Sequence, residues 1–314
     1  MNDWSVHGGR IAAARRAWPA VRADWLDLST GINPHPWPIE RAGAIDWQRL
    51  PDDGALSDLE AAAAATFGVA AERVCATPGS EIALRLLATL DLPRPWRHVA
   101  PGYRTHAEAL PGSLAVAPEG IASIDDGTLL YARPANPQGM LWEPPSSGAR
   151  LVIDEAFADA DPGASILPHP SAIVLRSFGK FYGLAGVRLG FVVAPPADIA
   201  VLRDRLGSWP LSAAAIAIGT AAYRDVGWQS AMRTGLADDR AALDAVLCAR
   251  GLDPKGGCPL FRLVRTPDAK NLFERLARHA ILTRPFDHSP EWLRIGLPGS
   301  PEALDRLDRA LAHG

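Results

Sequence analysis

Ser177-Phe178-Gly179-Lys180-Phe181-Tyr182-Gly183-Leu184-Ala185-Gly186-Val187-Arg188-Leu189-Gly190 is the stretch on which the reading of this chain turns. One lysine stands among four glycines, with a hydroxyl three residues before it and an arginine eight after. An amine that must condense with an aldehyde needs a crowded, partly dehydrated pocket that lowers its pKa. Glycines let the backbone approach a planar ring, and a hydroxyl and a guanidinium together suit a phosphate. Two other uses of the same letters fail. Ser177-x-x-Lys180 also fits the acylating Ser-x-x-Lys element, but the Ser-Asp-Asn and Lys-Thr-Gly triplets that accompany it are absent. A phosphate loop needs Ser or Thr after the lysine, and Phe181 stands there.

The rest of the composition narrows the class of partner. At 314 residues the chain can bury a large core in one domain or two. Its 32 basic and 35 acidic residues are interspersed and nearly cancel, so a nucleic acid or other polyanion is not expected. A small molecule is. Cys75, Cys248 and Cys258 are odd in number and widely spaced, which excludes a disulfide framework and fits a reducing, cytoplasmic setting. Met1-Asn2-Asp3-Trp4-Ser5-Val6-His7 lacks the basic start and apolar run of a secretory signal. The Ala-rich runs at 61–65 and 213–222 are too short to span a bilayer, so no membrane partner is expected.

Short apolar segments alternate with helical ones. Buried strands are expected at 73–76, 98–100, 114–117, 128–132, 150–153, 172–176 and 189–194. Helices are expected at 58–67, stopped by Gly68, and at 80–90. Residues 1–50 read as irregular. Past residue 200 a helix near 198–206 is broken by Trp209-Pro210, and another runs over 229–249. A strand at 261–264, a helix at 272–278 and strands at 281–283 and 292–297 follow. Ser300 and Pro301 start a last helix. The pattern is α/β: an N-terminal arm (1–48), a large domain with a mostly parallel central sheet covered by helices (49–205), and a smaller C-terminal α/β domain (206–314).

Further motifs stand in order along the chain. Arg150-Leu151-Val152-Ile153-Asp154-Glu155 is an apolar strand ending in acids, and ligands collect at such strand ends. Asn136-Pro137-Gln138-Gly139 is turn chemistry, and Thr77-Pro78-Gly79-Ser80-Glu81 opens a helix whose free N–H groups attract an anion. With the lysine stretch, these resemble the motifs of fold type I, aminotransferase-like pyridoxal-phosphate enzymes. The resemblance implies pyridoxal 5'-phosphate as cofactor, joined to Lys180, with Asp154 opposite the ring nitrogen and Asn136 donating to the ring's phenolic oxygen. It also implies Gly79, Ser80 and Glu81 (through its backbone), Ser177 and Arg188 around the phosphate, and Tyr103 of Pro101-Gly102-Tyr103 stacked on the ring.

Trp292-Leu293-Arg294-Ile295-Gly296 resembles the family's substrate-gripping strand, and Arg284 is a second anion candidate. His7-Gly8-Gly9-Arg10 and Leu28-Ser29-Thr30-Gly31-Ile32-Asn33-Pro34 resemble the opening of the threonine-phosphate decarboxylase family of cobalamin biosynthesis. That implies His7, Gly8, Gly9 and Asn33 closing over a phosphorylated amino acid, its decarboxylation, and a homodimer. An aminotransferase resembling the histidinol-phosphate enzymes is the alternative, and a non-catalytic pyridoxal-phosphate binder is a third reading. Three departures from the pattern stand out: Phe157 and Leu50 where tyrosine is usual, and Gly179 where some relatives have Ser or Thr.

Overall fold

The computed structural model describes Trp4, residues 7–146 and residues 148–312. The opening residues read for a secretory signal fall outside the described residues, Trp4 and His7 excepted. In chain order the strands are β1 (Leu26–Asp27), β2 (Val74–Thr77), β3 (Trp96–Val99), β4 (Leu114–Val116), β5 (Thr128–Ala132), β6 (Arg150–Asp154) and β7 (Ile173–Ser177). They continue with β8 (Gly190–Val193), β9 (Pro254–Lys255), β10 (Phe261–Arg265), β11 (Ile281–Leu282), β12 (Arg284–Pro285) and β13 (Trp292–Gly296). Two compact units share them. One comprises Pro36–Asn136 and Met140–Ala231, the other Met1–His35, Pro137–Gly139 and Met232–Gly314.

The unit containing residue 180 is built on a seven-stranded sheet of order β2-β8-β7-β6-β5-β3-β4. Strands β4, β3, β5, β6 and β7 run parallel to one another, while β8 runs antiparallel to both β7 and β2. The sheet is therefore mostly parallel, as the alternation of segments implies. Strands β2, β5 and β8 are buried at every position, which is why they read as unbroken apolar runs. On one face Leu130, Val152, Leu175 and Val192 pack with Leu84, Leu87 and Leu202 from the covering helices. Phe67, Phe191 and Tyr223 form part of an aromatic cluster in the same unit, with Phe191 and Tyr223 rings 5.3 Å apart.

Local chemistry sets the helices. Asp52 accepts the Gly54 N–H to start the helix Asp53–Phe67, and Gly68 ends it in the left-handed conformation (φ 68°) that glycine adopts without strain. The expected helix at 80–90 is α-helical only over Ser80–Leu86 and tightens to a 3₁₀ turn, Leu87–Thr89. Ser212 caps an unexpected helix, Ala213–Arg224, through its hydroxyl on the Ala215 N–H.

The other unit carries a four-stranded antiparallel sheet, β12-β13-β10-β9, and a two-stranded parallel sheet, β1-β11. The N-terminal region is more regular than expected. It holds the helix Ile11–Ala17 as well as β1. Arg284 does not close the strand before it but opens β12, where it pairs with Arg294 of β13. The last helix, Pro301–Ala312, starts as its sequence requires, with the Ser300 hydroxyl accepting the Ala303 N–H at 3.2 Å.

Candidate active site

One edge of the seven-stranded sheet gathers most of the expected residues of that unit. Asp154 is the last residue of β6 and Ser177 the last of β7, with Lys180 three positions on. Asn136 follows β5 and Tyr103 follows β3. Because β8 runs the other way, its beginning and not its end lies at this edge, which brings in Arg188 just before Gly190. Gly190 pairs with Ser177 on one side and Thr77 on the other. Adjacent strands lie about 4.8 Å apart, so the ends of β7, β8 and β2 are immediate neighbours.

Lys180 is fixed by what surrounds it. It sits in a single helical turn, Phe178–Phe181, whose Phe178 and Phe181 are fully buried, as is Tyr182. Phe178 stacks on Tyr182 at 4.4 Å and Tyr182 on Trp228 at 5.6 Å, so aromatic packing pins the backbone on both sides of the lysine. Lys180 itself is half-buried, with Nζ 5.6 Å from the centre of the Phe157 ring. Gly179 is required here: a Cβ on it would lie 2.6 Å from Cα of Ala185, so the serine or threonine of some relatives does not fit without a backbone shift.

Asp154 is buried and held from two sides. Its Oδ1 accepts the Ala156 N–H at 3.1 Å, and its Oδ2 lies 3.0 Å from Nε2 of the buried His106. A buried carboxylate needs such partners. Neighbouring Glu155 turns elsewhere, accepting from Ser165 Oγ (2.6 Å), the Ile166 N–H (2.7 Å) and Arg176 (2.8 Å). Its task is structural. The Tyr103 ring meets His106 edge-on, with centroids 5.7 Å apart, and burial pushes the Tyr103 hydroxyl up to about 12. That hydroxyl donates to Oε2 of Glu81 at 2.9 Å.

Gly79, Ser80, Ser177 and Arg188 lie close together at the neighbouring ends of β2, β7 and β8. Gly79 precedes the helix Ser80–Leu86 with φ 89° and ψ 153°, a conformation left to glycine. A Cβ there would run into the Arg188 guanidinium, which occupies that space. Arg188 is itself in the left-handed region (φ 57°, ψ 53°), a strain of about 1–2 kcal/mol for a residue with a side chain. Ser177 spends no hydroxyl on capping its helical turn. Backbone N–H groups, a guanidinium and hydroxyls at one strand edge suit a phosphate.

In the other unit, three of the expected substrate residues, Gly8, Gly9 and Arg294, meet at Ser29. Gly9 N–H donates to Ser29 Oγ at 2.8 Å, and Arg294 Nη2 donates to the Ser29 carbonyl at 2.7 Å. Gly8 packs on Ser29 so closely that a Cβ would meet its carbonyl oxygen at 2.5 Å. Asn33 is buried, and its Oδ1 accepts the His35 N–H at 2.9 Å. His7 is exposed at the start of this arm. Arg294 is 3 % exposed, and burial, followed by the charge of Arg284, pulls its guanidinium below its ordinary range. A bound anion would reverse that imbalance.

The model of the family "Aminotransferase class I and II" matches residues 99–311. The chain belongs to this family. It is 39 % identical to a threonine-phosphate decarboxylase of Sinorhizobium sp, across 98 % of each chain. It is 38 % identical to a threonine-phosphate decarboxylase of Pseudomonas aeruginosa, across 97 % of this chain and 96 % of that one. A solved histidinol-phosphate aminotransferase from Sinorhizobium meliloti, in complex with pyridoxal-5'-phosphate, has the same fold, with a TM-score of 0.80 at 21 % identity. That alignment covers 96 % of this chain and 93 % of the solved one.

Within this aminotransferase-family chain, two participants escaped the sequence reading. His106 lies in a five-residue helix, Thr105–Ala109, three residues past the Pro101-Gly102-Tyr103 motif and outside it. The Glu81 side chain, expected to matter only through its backbone, is bonded to Tyr103 and Thr105. Neither is marked by local sequence, since both act through partners distant along the chain.

Proposed function

We propose that this chain decarboxylates L-threonine O-3-phosphate to (R)-1-amino-2-propanol O-2-phosphate in cobalamin biosynthesis, with pyridoxal 5'-phosphate as cofactor. The observation that carries the reading is 39 % identity over 98 % of both chains with a relative of that name. The residues of this chain fit the cofactor, because Gly79 leaves to Arg188 the space a side chain would fill and Asp154 is a buried carboxylate beside a lysine-bearing turn. When bound, that cofactor supplies an electron sink for the charge left on the α-carbon.

Every other task falls to the protein. Lys180 Nζ, half-buried beside the Phe157 ring, would hold the cofactor's aldehyde carbon and would be the group placed to hand a proton back to the substrate. Asp154 would keep a ring nitrogen protonated, and His106 Nε2, 3.0 Å from Oδ2, keeps that carboxylate in place. Gly79, Ser80, Glu81 through its backbone, Ser177 and Arg188 take the cofactor phosphate. Tyr103 offers its ring face, and Asn136 its amide. Phe157 offers no hydroxyl beside Lys180, so Asn136 would be the donor to the cofactor's phenolic oxygen. Arg284 and Arg294 take the substrate's two anions, aided by His7, Gly8, Gly9 and Asn33. Their placement selects which α-carbon bond breaks, and a misplacement of about 1 Å is enough to change rates severely.

The reading extends to a homodimer and a cytoplasmic setting. It is supported by the exposed Trp47, Leu50 and Trp209, and by cavities of about 490 and 700 Å³ that share Leu50 and Pro51 in their walls. Cys75, Cys248 and Cys258 are all free thiols. No helix among the described residues is long and apolar enough to cross a membrane. Purified protein given threonine O-3-phosphate should release carbon dioxide without needing 2-oxoglutarate. Product that appears only with 2-oxoglutarate would establish the aminotransferase reading, and cofactor binding without turnover the non-catalytic one.

A further inference from the structure

An acidic residue in the first turn after an anion cradle is a liability, since its charge repels the phosphate it adjoins. Glu81 occupies that turn, and its carboxylate is committed elsewhere. Oε2 accepts the Tyr103 hydroxyl at 2.9 Å, while Oε1 accepts Thr105 Oγ1 at 3.2 Å and Arg85 Nε and Nη2 at 3.1 and 3.0 Å. Arg85 is shared with Glu108 at 2.6 Å, which Arg104 also meets at 3.1 Å, so the Glu81 carboxylate faces a cation and is held from three directions. At the other side of Tyr103, the ring edge meets His106, which bonds Asp154.

We propose that Glu81 is a positioning residue whose side chain holds the Tyr103 phenol by its hydroxyl, fixing the aromatic platform of the cofactor site while keeping its own charge off the phosphate. A tyrosine ring has two side-chain torsions. The bond at its tip and the edge contact with His106 together fix both, so the ring is ordered before any ligand arrives. This rests on the pyridoxal-phosphate reading of the same site, and the test separates the two.

The first arm uses cofactor-free protein and N-acetylimidazole, with Tyr103 acetylation followed by peptide mass mapping. Tyr131, Tyr182 and Tyr223 are fully buried or nearly so and serve as internal controls. Glu81→Ala should speed Tyr103 acetylation about three- to tenfold, the effect of releasing one hydrogen bond. Glu81→Gln, whose amide oxygen can still accept the hydroxyl, should restore the slow rate. The second arm titrates pyridoxal 5'-phosphate and reads its induced circular dichroism. Glu81→Ala and Tyr103→Phe should each weaken binding about three- to tenfold, and the double variant no further than either alone. Equal acetylation of wild type, Glu81→Ala and Glu81→Gln, or additive losses in the double variant, would overturn the proposal. A wild-type protein with no induced signal overturns the cofactor reading itself, and the proposal with it.

Discussion

Replacing Gly79 by alanine tests the cradle with one methyl group. Two costs are separable. At φ 89° and ψ 153° the backbone sits where only glycine is at ease, so alanine adds strain of about 1–3 kcal/mol to the folded protein. The new Cβ also falls where the Arg188 guanidinium now lies and must displace it. If Arg188 then loses its charge-assisted bond to the cofactor phosphate, about 1.5–3 kcal/mol of binding goes with it. At 1.4 kcal/mol per factor of ten, that is roughly a 10- to 150-fold weaker complex. The first cost is read from thermal unfolding of cofactor-free protein, at roughly 2–4 °C per kcal/mol for a chain of this order of size. The second is read by equilibrium dialysis against pyridoxal 5'-phosphate. Adding Arg188→Ala should cost little further affinity, because the methyl has already removed the guanidinium. A Gly79→Ala protein with unchanged affinity refutes the cradle; full additivity with Arg188→Ala refutes the mechanism of its loss.

Four further outcomes follow from the structure. His106→Ala leaves Oδ2 of Asp154 without its imidazole partner, and kcat/KM should fall about 10- to 100-fold; wild-type kinetics would dismiss His106 as a positioning residue. Arg294→Lys keeps a charge but loses the guanidinium fork, so KM for the phosphorylated substrate should rise more than kcat falls, and a pure kcat effect would contradict anion binding there. Burial, with Glu60 adding at Cys75, pushes the Cys75 thiol up to about 12, and burial likewise pushes Cys258 to about 12, while Cys248 is exposed. Alkylation near pH 8 should therefore label Cys248 alone. Both buried thiols have folded pKa values above the ordinary 9.0, so their contribution to stability is complete below about 9 and is lost as pH rises toward 12. Denaturant midpoints that do not drop across that window would contradict the assignment.

Much of the fold was legible because the informative signals are local. A strand buried on both faces must be apolar throughout, and so Leu129, Leu130 and Tyr131 announced β5, while Ser300-Pro301 announced the last helix. The lysine stretch was legible because the proposed tasks, attaching an aldehyde and cradling a phosphate, both restrict residue type at fixed spacing. What stayed hidden depends on pairing across the chain. Nothing in Gly190–Val193 distinguishes a strand that runs against its neighbours from one that runs with them. The helix Ile11–Ala17 has Arg10 before it with no side-chain cap, so it lacked a start signal. Ser212, by contrast, is a readable cap for Ala213–Arg224, an Ala-rich run too short to span a bilayer but long enough for a helix. His106 and the Glu81 side chain had no such marker, because their partners Asp154 and Tyr103 lie far from them in sequence.

The reversed direction of β8 has a further consequence. The chain leaves the sheet after Ser177, makes the excursion that bears Lys180, and re-enters at Gly190 beside the point of departure. On the proposed reading, the covalent tether Lys180 and the ionic clasp Arg188 are two stations on one closed detour, whose length sets the span between them. Lengthening or shortening residues 181–187 would detune both holds at once, whereas an insertion at the far rim of the sheet, such as the turn between Leu110 and Leu114, would leave that span as it is.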